Sequence, residues 1–519
     1  MAEVSRTDRV IQNAKVALFF YCINLVLQFF SRKIFLDYLG AELLGLNTTA
    51  QNLLQFLNLA ESGIGAAVAF ALYKPLSQKN RQEIIDIVSL QGWFYRWVGL
   101  FVIVGSIVLM AFFPWIFAKA DVPLIYAYGT FIAFLISALL GYFVNYKMIV
   151  LSADQKEYKI TIETQGIKII KVFIQIIVIW KFPYGYIFWI ILETLAAIVT
   201  SIRLVRCVKK EYPWLIVNIG MGKELAQKYP FVLTKTKQMF FHRFGGFVLH
   251  QITPLIIYMF TTLTDVAIYG NYMIVMAGCF MFIDAVFRGF SASVGNLISE
   301  NDRHHIRQVF WKILTLRLFS TGFLCCGVFL LSEPFVILWV GTDYVMDKVP
   351  MLVLVAIYFI QMNKTSEMFL WGSGLFQDIW APIAEAILNI ALSVLMGMLW
   401  GLTGVFIGVL ISQIVIVNSW KPIFLFISGF NEPIKEYVIK YTMKMFFLFI
   451  IFFVVCYTYN YLAVMQVETY LEWCLNALCF VSLYLTIGTM IFYISDIDFR
   501  DVSRQLTSTI SKKVKSNLR

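Results

Sequence analysis

The sequence predicts an all-α, polytopic membrane protein with about fourteen transmembrane helices. Three observations predict it. Of 519 residues, 60% are hydrophobic and 14% charged, against about 25% charged in an ordinary soluble chain. The apolar residues gather in runs near the ~20 residues that span a bilayer as a helix. The loops between those runs alternate between rich and poor in Lys and Arg, the asymmetry of a multi-pass protein. The same composition excludes a soluble enzyme, a disordered chain and a nucleic-acid binder. A net charge of +11 reads as basic cytoplasmic loops.

Taken in order, residues 1–15 are polar and carry Arg6, Arg9 and Lys15. The apolar run 16–38 that follows is too long for the core of a cleavable signal, so it is expected to remain as a signal anchor. The run 46–72 is long enough to tilt or to extend beyond the bilayer. Runs 97–118, 124–150, 161–181 and 184–203 complete an N-terminal six-helix lobe, 1–210, and a basic cytoplasmic linker follows at 211–239. Runs 240–261, 267–298, 311–331, 350–372, 380–400 and 403–427 form a second six-helix lobe, 240–430. Runs 441–463 and 470–494 are an extra helix pair, and with a basic tail they make up 431–519.

Orientation follows from the cations. Segments 1–15, 74–96, 151–159, 203–237, 301–312, 421–444 and 500–519 hold 30 of the 42 Lys and Arg. The opposite loops hold Lys119, Lys181 and Lys348. This imbalance places both termini in the cytoplasm. The segment 371–380 should be cytoplasmic too, yet it contains no cation.

Nine cations remain at membrane depth: Arg32, Lys33, Lys147, Lys168, Lys171, Arg243, Arg288, Arg317 and Lys364. Glu61, Glu163, Glu193, Asp284, Glu367 and Glu385 accompany them. A charge at a helix centre costs about 2.5–3.5 kcal/mol on insertion scales, so it faces a partner or a wet cavity. Lys33, Lys147 and Arg317 lie near enough to run ends to snorkel.

Polar stripes accompany these charges. Thr48, Gln51, Asn52, Gln55, Asn58, Glu61 and Ser62 recur at spacings of three and four, which puts them on one helical face. Lipid cannot satisfy that face, so it either glues helices together or lines a cavity. The first run carries Asn24, Gln28, Ser31 and Arg32; the fifth carries Thr161, Thr164, Gln165, Lys168, Lys171 and Gln175. Arg243 and His250 share the seventh run. Asp284 and Arg288 stand four apart in the eighth, where they can pair. Glu61, Asp284 and His250 are candidate sites for a coupling proton or Na⁺, His250 because imidazole titrates near neutrality. A hydrogen-bonded packing role is the alternative for His250.

Seven of the eight cysteines lie in apolar runs without metal-ligand spacing, so they read as small hydrophobes. No phosphate-cradling GxxxxGK[ST] motif is present, which argues against direct ATP drive. No cofactor or metal is implied. The longest external loop, about 332–349, has no His or Arg, a poor basis for a membrane glycan polymerase or ligase.

The chain contains a faint repeat. Leu44-Gly-Leu-Asn, a long helix through Glu61-Ser-Gly-Ile-Gly, and Leu72-Tyr-Lys-Pro-Leu-Ser form one copy. Ala267-Ile-Tyr-Gly-Asn, a helix through Asp284-Ala-Val-Phe-Arg-Gly, and Leu297-Ile-Ser-Glu-Asn form the other. At an offset of 224, Gly65 falls on Gly289 and Lys79 on Arg303. Parallel six-helix repeats are a common transporter plan.

The block from Ser31-Arg-Lys-Ile-Phe-Leu-Asp-Tyr-Leu-Gly to Leu72-Tyr-Lys-Pro-Leu, with Asn58-Leu-Ala-Glu-Ser-Gly-Ile-Gly-Ala-Ala inside it, resembles the Wzx-type oligosaccharide flippases. These belong to the multidrug/oligosaccharidyl-lipid/polysaccharide exporter superfamily. The resemblance implies two six-helix lobes around a central cavity, an extra helix pair, and a bacterial cytoplasmic (inner) membrane. It implies flipping of a polyprenyl-pyrophosphate-linked oligosaccharide to the outer leaflet, beside polysaccharide polymerase machinery. Related peptidoglycan-precursor flippases use arginines in their first and eighth helices, and Arg32 and Arg288 sit in those helices here.

The residues point the same way. A pyrophosphate is polyanionic, and Arg32, Lys168, Lys171, Arg243 and Arg288 would attract it. Gln51, Gln55 and Asn58 would hydrogen-bond sugar hydroxyls. Two alternatives are a drug/cation antiporter, whose cavity should be dominated by carboxylates and aromatics, and a lipid-binding scaffold that transports nothing.

Overall fold

The computed structural model describes residues 6–61, 63–236, 251–299, 303–373, 375, 377–378, 380–462 and 467–505. Every regular element among them is helical. Ten of these helical stretches are long and apolar enough to cross a membrane. The protein is therefore an all-α, multi-pass membrane protein. The chain divides into two compact units, Met1–Ala267 and Ile268–Arg519.

In unit 1, α1 (Arg6–Asn58) is broken at Gly40, with φ 83° and ψ 169°. A Cβ there would meet nothing within 4 Å. Backbone conformation, not space, therefore makes glycine necessary. The break falls between the expected runs 16–38 and 46–72. The second of these is not one helix. It ends at Asn58, tightens into a turn at Leu59–Glu61, and restarts as α2, Ile64–Ser77. Gly63, at φ 99°, makes the restart in the left-handed region. In the other copy of the repeat, α8 (Leu263–Ser299) is one helical element.

Helix α3 (Arg81–Ala111) begins well inside the expected loop 74–96. Asn80 caps it by accepting from the Glu83 backbone N–H at 3.3 Å, and Glu83 favours the positive helix end. Helices α4 (Leu124–Phe143), α5 (Glu157–Lys181) and α6 (Gly185–Glu211) follow. Helix α5 is not among those ten, because its apolar part carries Lys168, Lys171 and Lys181. Helix α7 (Thr253–Phe260) is the described end of the expected run 240–261.

Asn13 holds α1 to the start of α5. Its Nδ2 donates to the Gln155 carbonyl at 2.9 Å, and its Oδ1 accepts from the Tyr158 N–H at 2.8 Å. Further along, Asn24 Nδ2 donates to Gln165 Oε1 at 3.1 Å. The two helices therefore run parallel with their polar faces together.

In unit 2, α9 (Arg303–Val340), α10 (Lys348–Met362) and α11 (Thr365–Gly372) precede α12 (Trp380–Gln413). Helix α12 continues to Phe430 as one stretch of 51 residues, which at 1.5 Å per residue is about 77 Å, too long for one crossing. It folds back at Trp400 and Gly401. Its two halves touch backbone to backbone. A Cβ on Gly404 would lie 1.9 Å from the Met396 carbonyl oxygen, and one on Gly408 would lie 2.3 Å from the Ser393 nitrogen. Small residues permit this close approach. Ser393 Oγ adds a bond to the Val405 carbonyl at 3.1 Å, and Gln413 Nε2 donates to Glu385 at 2.6 Å.

The last helices, α13 (Lys435–Leu462) and α14 (Tyr470–Ser495), pack along α9. Tyr484 Oη donates to the Phe319 carbonyl at 3.1 Å, and Trp473 Nε1 donates to that of Leu331 at 3.0 Å. Lys444, buried, donates to Thr315 at 2.7 Å, to Asp498 at 2.9 Å and to Asp496.

Candidate functional site

Helix α5 sorts its side chains by face. Ile170, Phe173, Ile174 and Ile177 are exposed and apolar. At 100° per residue they form one stripe, the one suited to lipid. Thr161, Thr164, Gln165, Lys168, Lys171 and Gln175 occupy the opposite face. Thr161 and Thr164 turn their hydroxyls onto the carbonyls of Glu157 and Ile160. Gln165 meets Asn24 of α1. Lys171 donates to both oxygens of Glu193 on α6, at 2.7 and 2.8 Å, and Gln175 joins the same carboxylate at 3.0 Å.

Lys168 is left over. It is exposed on this polar face and makes no hydrogen bond or ion pair among the described residues. Of the two acids on its own helix, Glu163 is taken by Arg203 at 2.7 Å and Glu157 accepts from Ser152. Arg32, half-buried on α1, donates to the Ala267 carbonyl at 3.0 Å.

Most remaining deep cations have partners. Lys33 approaches Asp37 at 3.9 Å, and Lys364 approaches Glu367 at 3.6 Å. Arg317 Nε donates to the Met362 carbonyl at 2.7 Å and lies over the Phe287 ring. Lys147 lies 6.0 Å from the centroid of the Tyr146 ring. Arg243 and His250 lie outside the described residues, as does the side chain of Arg288. Asp284 is exposed on α8.

The amide stripe of α1 divides in two. Asn58 Oδ1 accepts from Tyr142 of α4 at 2.8 Å, and Glu61 accepts from Tyr95 of α3 at 2.8 Å. The two tyrosine rings meet edge to face, centroids 5.5 Å apart. Gln51, exposed, and Gln55, half-buried, have no hydrogen-bond partner among the described residues. Sequence reasoning passed over Tyr95 and Tyr142. The available signal was a tyrosine within an apolar run, whose hydroxyl needs a partner at depth. Tyr186 follows the same rule. Its hydroxyl bonds to Asn47 and Thr130, both at 2.6 Å.

Unit 2 contains an apolar cavity of about 320 Å³ between α9, α10, α12, α13 and α14. Leu352, Phe359, Leu410, Leu448, Phe449 and Phe452 are among the residues that line it.

No protein-family model matches the chain, and no curated protein matches it in sequence. Solved structures do match in fold. The lipid II flippase MurJ, in an inward closed conformation, superposes with a TM-score of 0.64 at 15% identity, covering 93% of this chain and 99% of that one. An inward-facing multidrug resistance MATE family transporter of the MOP superfamily superposes with a TM-score of 0.59 at 13% identity, covering 78% of this chain and 95% of that one. At these identities the likeness is one of fold: the chain shares the architecture of a flippase and of a drug transporter.

Proposed function

We propose that this chain is a flippase that moves a polyprenyl-pyrophosphate-linked oligosaccharide from the inner to the outer leaflet by alternating access, for cell-surface polysaccharide assembly. In this reading it lies in a bacterial inner membrane with both termini cytoplasmic, beside polysaccharide polymerase machinery. Lys168 carries the reading. An uncompensated ammonium at membrane depth, on the face opposite the lipid stripe, is costly unless water or an anion meets it. A pyrophosphate is such an anion. Arg32 on the adjacent α1 offers a planar donor suited to phosphate. Lys171, already neutralised by Glu193, positions this face rather than binding. Arg243 and Arg288 are assigned to the same anion on the sequence pattern alone. Gln51 and Gln55 have amides to spare for sugar hydroxyls, whereas Asn58 is engaged by Tyr142. The Wzx-type resemblance and the shared fold with MurJ support the same class.

The test is reconstitution of the full chain in proteoliposomes with a lipid-linked oligosaccharide, reading glycan exposure on the far leaflet. Arg32→Gln with Lys168→Gln should slow exposure at least about tenfold, as loss of two charge-assisted phosphate contacts predicts. Lys168→Arg should retain it. Unchanged flipping in the double Gln variant would refute the assignment.

One observation favours the drug/cation antiporter instead: Glu61 sits against Tyr95 and Tyr142, a carboxylate among aromatic rings. On that reading Glu61, with Asp284 and His250, exchanges H⁺ or Na⁺ for a cationic drug. Gradient-driven efflux of a cationic dye, abolished by Glu61→Gln, would select it over the flippase.

A further inference from the structure

We propose that unit 1 carries a second anion site, separate from the polar face of α5, which holds the phosphate headgroup of an anionic glycerophospholipid. The site is a cleft of about 320 Å³ where the start of α5 meets the end of α6, lined by Lys159, Ile162, Glu163, Arg203, Arg206 and Lys210, among others. Its charges do not cancel. Arg203 spends its guanidinium on Glu163, and Lys159 pairs with Glu211. Both carboxylates of the cleft are then used. Arg206 and Lys210 have no carboxylate partner among the described residues.

Arg203, Arg206 and Lys210 stand at i, i+3 and i+7, so α6 presents them on one face. The paired Arg203 fixes the edge of the cleft, and the other two cations are left to an external anion. Apolar surface adjoins them. Ile162 lines the cleft and is 45% exposed, and Val199 and Ile202, one turn back along α6, are 46% and 45% exposed. A free phosphate has no use for that surface. A phospholipid does, with its headgroup on Arg206 and Lys210 and its acyl chains along Ile162, Val199 and Ile202. The cation count assigns this end of the helices to the cytoplasmic leaflet, where basic pockets between helices meet anionic lipid.

The test uses the full chain in nanodiscs of phosphatidylcholine doped with phosphatidylglycerol, reading retained lipid by native mass spectrometry. Wild type should retain phosphatidylglycerol preferentially. Arg206→Gln with Lys210→Gln should weaken that retention roughly thirty-fold, as two surface cations predict. Arg206→Lys with Lys210→Arg, which keeps the charge, should preserve it. Glu163→Gln, which releases Arg203, should strengthen it. An unchanged preference in the double Gln variant would overturn the proposal, as would its loss in the charge-conserving variant. Displacement of the lipid by inorganic phosphate alone would reassign the cleft to free phosphate. None of these readouts depends on flipping, and Arg32→Gln with Lys168→Gln should leave them unchanged.

Discussion

Lys171 of α5 grips Glu193 of α6 through both carboxylate oxygens, at 2.7 and 2.8 Å. Gln175 adds a third hydrogen bond to that carboxylate at 3.0 Å. Both side chains are only 16% exposed. Removing one partner of such a pair strands the other's charge, whereas removing both strands nothing. Lys171→Met should therefore lower stability by about 3 kcal/mol, and Lys171→Met with Glu193→Met should recover most of the loss. Thermal unfolding of the detergent-solubilised chain checks both. Equal losses in the single and double variants would show that the pair contributes only through packing.

Gly404 is the tightest point of the α12 hairpin, since a Cβ there would overlap the Met396 carbonyl. Gly404→Ala must push two backbones apart and should cost about 3 kcal/mol or more. Gly166 in α5 is the control, because its Cβ would meet nothing within 4 Å. Gly166→Ala should be neutral or stabilising by about 0.5–1 kcal/mol, since alanine is the better helix former. The difference in melting temperature between the two variants measures the hairpin contact.

Lys444 ties α13 to α9 and to the segment after α14 through Thr315, Asp496 and Asp498. Its side chain is 4% exposed and that of Asp496 7%. Lys444→Met leaves two carboxylates without their cation and should cost about 3–5 kcal/mol. The loss should be local. Hydrogen exchange should rise in Lys435–Leu462 and Tyr470–Ser495, with Glu157–Glu211 of unit 1 unchanged. A uniform rise over the whole chain would contradict that picture.

Lys228 donates to Asp86 Oδ2 at 2.7 Å from an exposed position. That hydrogen bond to Asp86 is the chief reason its pKa lies above the ordinary lysine value. A raised pKa means the folded state holds the proton more tightly. The pair's contribution is therefore complete below the unfolded lysine's pKa, and it disappears as pH climbs through the folded one. The melting-temperature gap between wild type and Lys228→Gln should stay level around neutrality and close only in strongly alkaline buffer. Because Lys228 is exposed, the gap should be small at every pH.

The segment breaks were partly legible. Gly40 and Gly401 lie where hydropathy falls between runs, and each takes a positive φ. Gly63 lies inside a continuous apolar run, so hydropathy carried no sign of the break there. Around it, Tyr142 and Tyr95 hold Asn58 and Glu61 from neighbouring helices. Periodicity also placed Lys168 and Lys171 on one polar face of α5 but could not tell them apart. Glu193, 22 residues beyond Lys171, made the distinction. Glu163 looked equally available from its spacing and went to Arg203 instead.

Membrane class, helical character and the polar faces of α1 and α5 were already written in the order of the residues. Hydropathy and the 3.6-residue period are local properties, and each is complete within one segment. Compensation of Lys171 and of Glu163 is not local. It requires N and O atoms within 4 Å, and that distance depends on how helices far apart in sequence are rotated against each other. Packing therefore determined that Lys171 is paired with Glu193 and that Lys168, one turn away, has no hydrogen-bond or ionic partner among the described residues. It also determined that Arg206 and Lys210, two cations among many in the basic segment 203–237, share a cleft beside exposed apolar surface.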